Sequence, residues 1–212
     1  MNSFLSGLPI PVITVLVGFL SGSILYSKHL PRLLCGKDIC AAAKDKNPGA
    51  SNVFASCGVG LGLVCLACDM LKAYLPVKAA LTIIGSDSLW FSAAMTAPVL
   101  GHAVGIFDGF HGGKCIAASF GVVLALFPQT AVGLLLAALY ILFSTVLKIR
   151  PHRRRSILTF SLFGISALAI LLYQHQNAIA YGTFGLSAIA VFRHLVVPDV
   201  AVDATSSTVS EE

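Results

Sequence analysis

The chain has 212 residues, 57% hydrophobic and only 11% charged, with a mean hydropathy of +0.88 and a formal net charge of +5. Soluble domains carry roughly 25% charged residues, so this composition excludes a water-soluble globule and predicts an all-α, polytopic integral membrane protein. The apolar runs are continuous and lack the alternation of a transmembrane barrel, and the length allows several spans but not several soluble domains.

A helix needs about 20 mostly apolar residues to cross the hydrocarbon core. Seven stretches meet or approach that length: 8–27, 58–84, 87–107, 115–128, 131–148, 156–173 and 178–193. No Lys or Arg precedes Lys28, so the first stretch lacks the basic start of a cleaved leader and reads as a retained span. It runs into "SKHLPRLLCGKDICAAAKDK" and then "NPGASN" (47–52). The second span carries "CLAC" (65–68) and "DMLKAYLP" (69–76). The C-x-x-C has no second pair and no nearby His, so its cysteines read as small hydrophobes. Cys35, Cys40 and Cys57 are expected to face a reducing cytosol without disulfides. Asp69 and Lys72 stand three apart, on one side of a helix, as an intramembrane ion pair.

The third span ends at Gly101 and His102, and "GFHGGKCIAASFG" (109–121) leads into the fourth. That fourth span is short and breaks at Pro128 and Gln129. It is expected to be tilted, partly buried or incompletely spanning, because irregular backbone at membrane depth must be enclosed or line a wet cavity. The fifth is followed by "KIRPHRRR" and the seventh ends in "FRHL". Residues 1–198 read as a single membrane-embedded domain. The polar tail 199–212 is expected to be disordered.

Charge sets the orientation. The loops holding Lys28, Arg32, Lys37, Lys44 and Lys46, and Lys148, Arg150, Arg153, Arg154 and Arg155, fall on one side of a seven-span arrangement, with Lys114 and Arg193. The opposite loops near 85–88, 128–130 and 174–177 contain no Lys or Arg. The positive-inside rule then places the N-terminus outside and the C-terminus in the cytosol. "KIRPHRRR" reads as a topology anchor touching anionic headgroups, and no nucleic-acid binding is expected.

Three polar stretches meet on that cytosolic face: 46–52, 101–114 and 192–195. In the second, Gly112 and Gly113 let backbone N–H groups approach an anion, the following helix adds partial positive charge, and Lys114 adds a full one. It is not a P-loop, since Asp108 stands at the first glycine position and Cys115 at the Ser/Thr position. His102, His111 and His194 show no metal-ligand spacing, so no metal or other cofactor is expected. His102 and Asp108 are also one residue too far apart for H-x-x-x-x-D, the acid/base signature of the commoner glycerolipid acyltransferases.

Together these stretches resemble the bacterial acyl-phosphate:glycerol-3-phosphate acyltransferases, the PlsY family. "GHAVGIFDGFHGGKCIAASFG" aligns without a gap with the family's central motif, matching at Gly101, His102, Phe107, Phe110, Gly112, Gly113, Lys114, Ala117 and Gly121. "NPGASN" is similar to the end of its first motif, G-S-G-N-x-G-A-T-N, "DMLKAYLP" to D-x-x-K-G-x-x-P, and "FRHL" to R-H-x-x-N-I. The resemblance covers residues 20 to 195. Departures from it are specific. Lys44, Asp45 and Lys46 replace Gly-Ser-Gly, so the first motif loses its serine. An expected arginine falls on Ala55, Pro becomes Gly105, Lys becomes His111, Gly becomes Cys115, Thr becomes Ala118 and Asn becomes Val197.

The resemblance implies a seven-span fold in the plasma membrane, with a site facing the cytosol. It also implies transfer of a fatty acyl group from acyl phosphate to the 1-hydroxyl of glycerol 3-phosphate, giving lysophosphatidic acid for phospholipid synthesis. Acyl phosphate is a mixed anhydride with a good leaving group, so positioning and oxyanion stabilisation can supply most of the acceleration. Gly112, Gly113 and Lys114 are then the phosphate cradle, and Arg193 holds the glycerol phosphate. Asn47, Ser51 and Asn52 orient polar substrate groups. His194 exchanges a hydrogen bond near the reacting hydroxyl, which makes Ser51 and His194 the catalytic candidates. His102, Asp69 and Lys72 support them. The implied partners are the two substrates, membrane lipids and the enzyme that makes acyl phosphate. A second reading is a catalytically degenerate or altered-substrate relative that binds phospholipid precursors or a partner acyltransferase. A small transporter would need its polar residues at mid-membrane depth, whereas these gather at one face.

Overall fold

The computed structural model describes residues 9–43 and 45–197, so Lys44 and the tail 199–212 lie outside the described residues. Within them the chain is helical, with no strand. The helices are α1 (Ile10–Ser23), α2 (Tyr26–Cys35), α3 (Ile39–Ala42), α4 (Ala50–Cys57), α5 (Val59–Ile84), α6 (Leu89–Val104), α7 (Ile116–Ala125), α8 (Val132–Ile141), α9 (His152–Tyr173) and α10 (Asn177–Val196). A 3₁₀ turn at Ile106–Asp108 follows α6, and a π turn at Leu142–Val146 continues α8.

Every apolar stretch of the sequence is helical here, but their lengths differ. Four helical segments are long and apolar enough to cross a membrane: α5, Leu89–Asp108, α9 and α10. A fifth is the pair α1 and α2, bent by 41° at their junction, if it counts as one span. Helix α7 has ten residues, about 15 Å at 1.5 Å per residue, roughly half the hydrocarbon thickness. Leu63, Leu75, Ile83, Leu134 and Ile165 are all more than half exposed. An apolar surface so spread out suits lipid rather than water.

Close packing of small residues sets the frame. A Cβ on Gly22 would lie 2.0 Å from the Pro98 carbonyl oxygen, and one on Gly101 would lie 2.0 Å from that of Phe19. The backbones of α1 and α6 therefore touch, as small-residue crossings in membranes allow. The main core joins Phe91, Met95 and Val99 of α6 to Phe160, Phe163 and Leu171 of α9, with Val122 of α7 and Leu186 of α10. A satellite cluster of Ile39, Val53 and Cys65 pins the 36–57 segment against α5. Asp38 caps α3 by accepting from the N–H groups of Cys40 and Ala41 at 2.9 and 3.1 Å. All six cysteines are free thiols.

Long-range contacts sort the loops into two groups. Lys28 Nζ is 2.8 Å from Asp108 Oδ1, Lys114 Nζ is 2.8 Å from Asp45 Oδ2, and Arg153 donates to the Leu195 carbonyl. These contacts draw the 28–57, 106–115, 150–155 and 193–195 segments together. Elsewhere, Lys78 donates to the carbonyls of Ala125 and Phe127, and Gln176 to that of Gln129.

Candidate active site

The site is built on a buried polar cluster between α1, α5 and α6. Lys72 on α5 pairs in charge with Asp69, Nζ to Oδ1 at 2.8 Å, and donates to His102 Nδ1 at 2.8 Å and to the Ile24 carbonyl where the chain passes from α1 to α2. Asp69 also accepts from the Ser27 hydroxyl. Because Nδ1 of His102 accepts, its proton sits on Nε2, and that edge faces the glycine turn. A Cβ on Gly113 would lie 2.3 Å from His102 Nε2, and one on Gly112 would lie 2.1 Å from the Ala103 carbonyl oxygen. Both positions need glycine because the turn lies directly on α6.

The turn is fastened from three sides. The Gly113 N–H donates to the His102 carbonyl at 2.9 Å. Arg193 on α10 donates from Nε to the Gly113 carbonyl at 3.0 Å and from Nη2 to the Gly112 carbonyl at 2.6 Å. Asp108, 3% exposed, is held by Lys28 and by His29 Nε2 at 3.1 Å. Cys115 closes the turn at φ +69°, in the left-handed region that favours glycine. Its Sγ lies 3.4 Å from the Val99 carbonyl. This conformation accounts for the glycine that the family pattern places here. Helix α7 starts at the next residue with no side-chain cap, so its first N–H groups lack intrahelical acceptors.

Beside that helix end lies a cavity of about 960 Å³. Asn47, Ser51 and Asn52 line it from the 45–57 segment, Lys114 from the turn, and Asp69 and His102 from the buried cluster. Asp45 is the organising carboxylate. Its Oδ2 receives Lys114 Nζ at 2.8 Å, and its Oδ1 receives Asn52 Nδ2 at 2.9 Å and the Asn47 N–H at 3.2 Å. Asn52 Nδ2 also reaches the Asn47 carbonyl at 2.8 Å. Asn47 Oδ1 is buried on this wall with no hydrogen-bond partner among the described residues. Ile116 and Ala117 bring the start of α7 to the cavity next to Lys114, and Tyr140 and His152 close the far wall. A second, apolar groove of about 220 Å³ shares Met70 and Phe120 with the cavity and continues along α7 and α8.

The predicted residues thus divide into two sets. Asn47, Ser51, Asn52, Lys114, Asp69 and His102 line one cavity. Gly112, Gly113, Arg193, His194 and Lys72 do not line it. The Gly113 N–H is committed to His102, and Arg193 grips the carbonyls of the turn. The anion donors that face the cavity are Lys114 and the first turn of α7. His194 is fully buried, with Nδ1 2.8 Å from the Ala190 carbonyl, and stacks at 6.0 Å on His152, which does reach the cavity. Sequence reasoning missed Asp45 as the partner of Lys114, because nothing local joins residues 69 apart. It also passed over Tyr140, whose phenol in an otherwise apolar run was the available signal.

Comparison with known proteins follows the same residues. The model of the glycerol-3-phosphate acyltransferase family matches residues 12–197. A glycerol-3-phosphate acyltransferase of Roseiflexus sp. is 41% identical over 117 residues, covering 55% of this chain and 56% of that protein. One from Nitratidesulfovibrio vulgaris is 40% identical over 111 residues, covering 52% of this chain and 33% of the relative. The match therefore spans about half or less of these relatives' own length. Crystal structures of PlsY, an integral membrane glycerol 3-phosphate acyltransferase, superpose with TM-scores of 0.75 for the glycerol 3-phosphate form and 0.72 for the lysophosphatidic acid form. Each is 28% identical and covers 88% of this chain, with 89% and 88% of the crystallised chains matched. With fold, motif order and nearly its whole length in register, the chain belongs to the glycerol-3-phosphate acyltransferase family.

Proposed function

We propose that the protein transfers a fatty acyl group from acyl phosphate to the 1-hydroxyl of glycerol 3-phosphate. The hydroxyl oxygen bonds to the acyl carbon, the carbon–oxygen bond to phosphate breaks, and phosphate leaves with the displaced proton. The observation that carries this reading is the cavity itself. It sets Lys114 and the start of α7 beside Asn47, Ser51 and Asn52, and opens past Met70 and Phe120 onto an apolar groove. One substrate is greasy and the other doubly charged, and this wall is polar at one end and apolar at the other. Lys114 and the helix end suit a phosphate, the buried Asn47 Oδ1 suits a substrate hydroxyl, and the groove suits an acyl tail. Arg193, Gly112 and Gly113 hold the cation in place, and Ser51 orients the polar substrate. His194 acts through His152, which it supports. Asp69, Lys72 and His102 form the platform.

Seven passes, an outside N-terminus, a cytosolic C-terminus and a single domain over 1–198 complete the proposal, in a plasma membrane with the site facing the cytosol. The clustering of basic loops favours that orientation. Reporter fusions at the two termini test it, and a C-terminal reporter active only outside the cytosol would overturn it. The activity is tested with the purified full chain, palmitoyl phosphate and glycerol 3-phosphate, following lysophosphatidic acid beside Lys114→Ala. Product from the wild type and its loss in the variant are expected. No product above background overturns the activity, and full activity in Lys114→Ala overturns the cradle. The enzyme that makes acyl phosphate is the expected donor-side partner, and co-purification from membranes tests that association.

A further inference from the structure

Asp45 stands where the family's first motif has serine, and a negative charge has thereby entered the cavity. That carboxylate occupies a particular set of donors. One oxygen takes Lys114 Nζ at 2.8 Å, and the other takes Asn52 Nδ2 at 2.9 Å and the Asn47 N–H at 3.2 Å. A cation, a side-chain amide and a backbone N–H converging on two oxygens make an anion site. Lys114 among them is also the cation that the phosphate reading assigns to a substrate, and Asn47 and Asn52 stand beside it on the same cavity.

We infer that Asp45 is an internal anion that competes with phosphate for Lys114, Asn52 and Asn47, and so sets the affinity and charge preference of the site. The inference rests on the reading of this cavity as a phosphate site. A serine at 45 would take this carboxylate away from Lys114. With aspartate the pair is neutral, and an incoming phosphate must displace the carboxylate or share its donors. Asp45 is 17% exposed and Lys114 5%, so the contact is shielded enough to matter and open enough to exchange. A role for Asp45 as the general base fits less well. Both oxygens already accept hydrogen bonds, one of them from an ammonium, so they are occupied by protein donors rather than turned to a substrate hydroxyl.

The test is equilibrium binding of inorganic phosphate and of glycerol 3-phosphate to the detergent-purified full chain, for wild type, Asp45→Ser, Asp45→Asn and Lys114→Ala. Removing the carboxylate should tighten binding of both ligands on the order of tenfold, the effect of one nearby opposite charge on an ionic equilibrium. The gain should vanish when Asp45→Ser is combined with Lys114→Ala. Asp45→Asn keeps the shape of the side chain and covers the case in which the serine variant does not fold. In turnover, KM for glycerol 3-phosphate should fall in both variants. Phosphate binding equally well or more weakly in both Asp45 variants overturns the inference and leaves the phosphate site standing. A collapse of kcat in Asp45→Asn with unchanged phosphate affinity also overturns it, in favour of a base. No binding of either ligand to any form overturns the phosphate site, and the inference with it.

Discussion

Two of the three aspartate–lysine pairs among the described residues, Asp69–Lys72 and Asp45–Lys114, share a 2.8 Å separation and border one cavity, and their settings differ. Asp69 and Lys72 are each 1% exposed and only Asp69 borders the cavity, whereas Lys114 and Asp45 are 5% and 17% exposed and both line it. The first ammonium faces the Asp69 carboxylate and donates to His102 and the Ile24 carbonyl, and the chain path through α1, α5 and α6 depends on these contacts. The second shares its carboxylate with Asn52 and Asn47, in a segment held by a small satellite core. Distance alone therefore does not say what an ion pair does. The sealed pair is a strut, since either partner alone would be an uncompensated charge in a low-dielectric interior. The wall pair is replaceable, since another anion can reach its cation.

The sharpest way to break that contrast is to cut each pair in turn. Lys72→Met leaves Asp69 buried without its cation, which costs about 3–5 kcal/mol. For a chain of this size that is a fall in melting temperature on the order of 10 °C, measured in detergent. Asp69→Asn combined with Lys72→Met should recover part of the loss. Lys114→Ala should do the reverse, lowering kcat/KM on the order of 10²–10³-fold, as loss of a charged group at a reacting phosphate does, with only a small change in melting temperature. If Lys114→Ala melts as early as Lys72→Met, the two pairs are the same kind of contact and the distinction fails.

A smaller effect tests how the strut reaches the wall. Gly113→Ala forces a methyl group to within 2.3 Å of His102 Nε2 unless something moves. Overpacking of this kind costs about 1–3 kcal/mol and should displace Lys114, so activity should fall further than stability. In a His102→Ala background the same substitution should cost less, because the ring is gone. A double-mutant cycle measures that coupling, and strict additivity would show that His102 does not hold the turn.

How much of this the sequence displayed depends on the range of the interaction. The positions of the long apolar helices followed from apolar runs, and Asp69 with Lys72 from their spacing, because those signals are local, whereas α2, α3 and α4 form in the stretch between the first two runs that reads as a basic loop. Helix lengths were less readable. The break between α1 and α2 falls inside one unbroken apolar run, and α7 ends three residues before Pro128, where its ladder gives way to a turn. The site was half readable. Asn47, Ser51, Asn52 and Lys114 could be proposed from motif resemblance, but resemblance does not say which side of a residue faces a cavity. It therefore could not show that Arg193 turns to the carbonyls of Gly112 and Gly113, or that His194 lies behind His152. Nor could it reveal Asp45 on Lys114, a contact made only by folding.

The smallest expected effect concerns Cys115, where the chain leaves the turn for the cavity wall. Its φ of +69° is one that L-residues adopt at a cost of roughly 1–2 kcal/mol and glycine adopts freely. Its side chain is 1% exposed and packs against the Val99 carbonyl, so removing it also loses burial. In Cys115→Gly these two effects oppose each other, and the net change in stability should be under about 1 kcal/mol. Cys115→Ala gives up the sulfur contact but keeps the strained backbone. Glycine should therefore be at least as stable as alanine here, the opposite of the usual order in ordered backbone, where glycine is weaker by roughly 0.5–1 kcal/mol. Paired thermal melts of the two variants decide it. An alanine variant clearly more stable than the glycine one would mean that the turn carries no strain at 115, and that the cysteine serves packing alone.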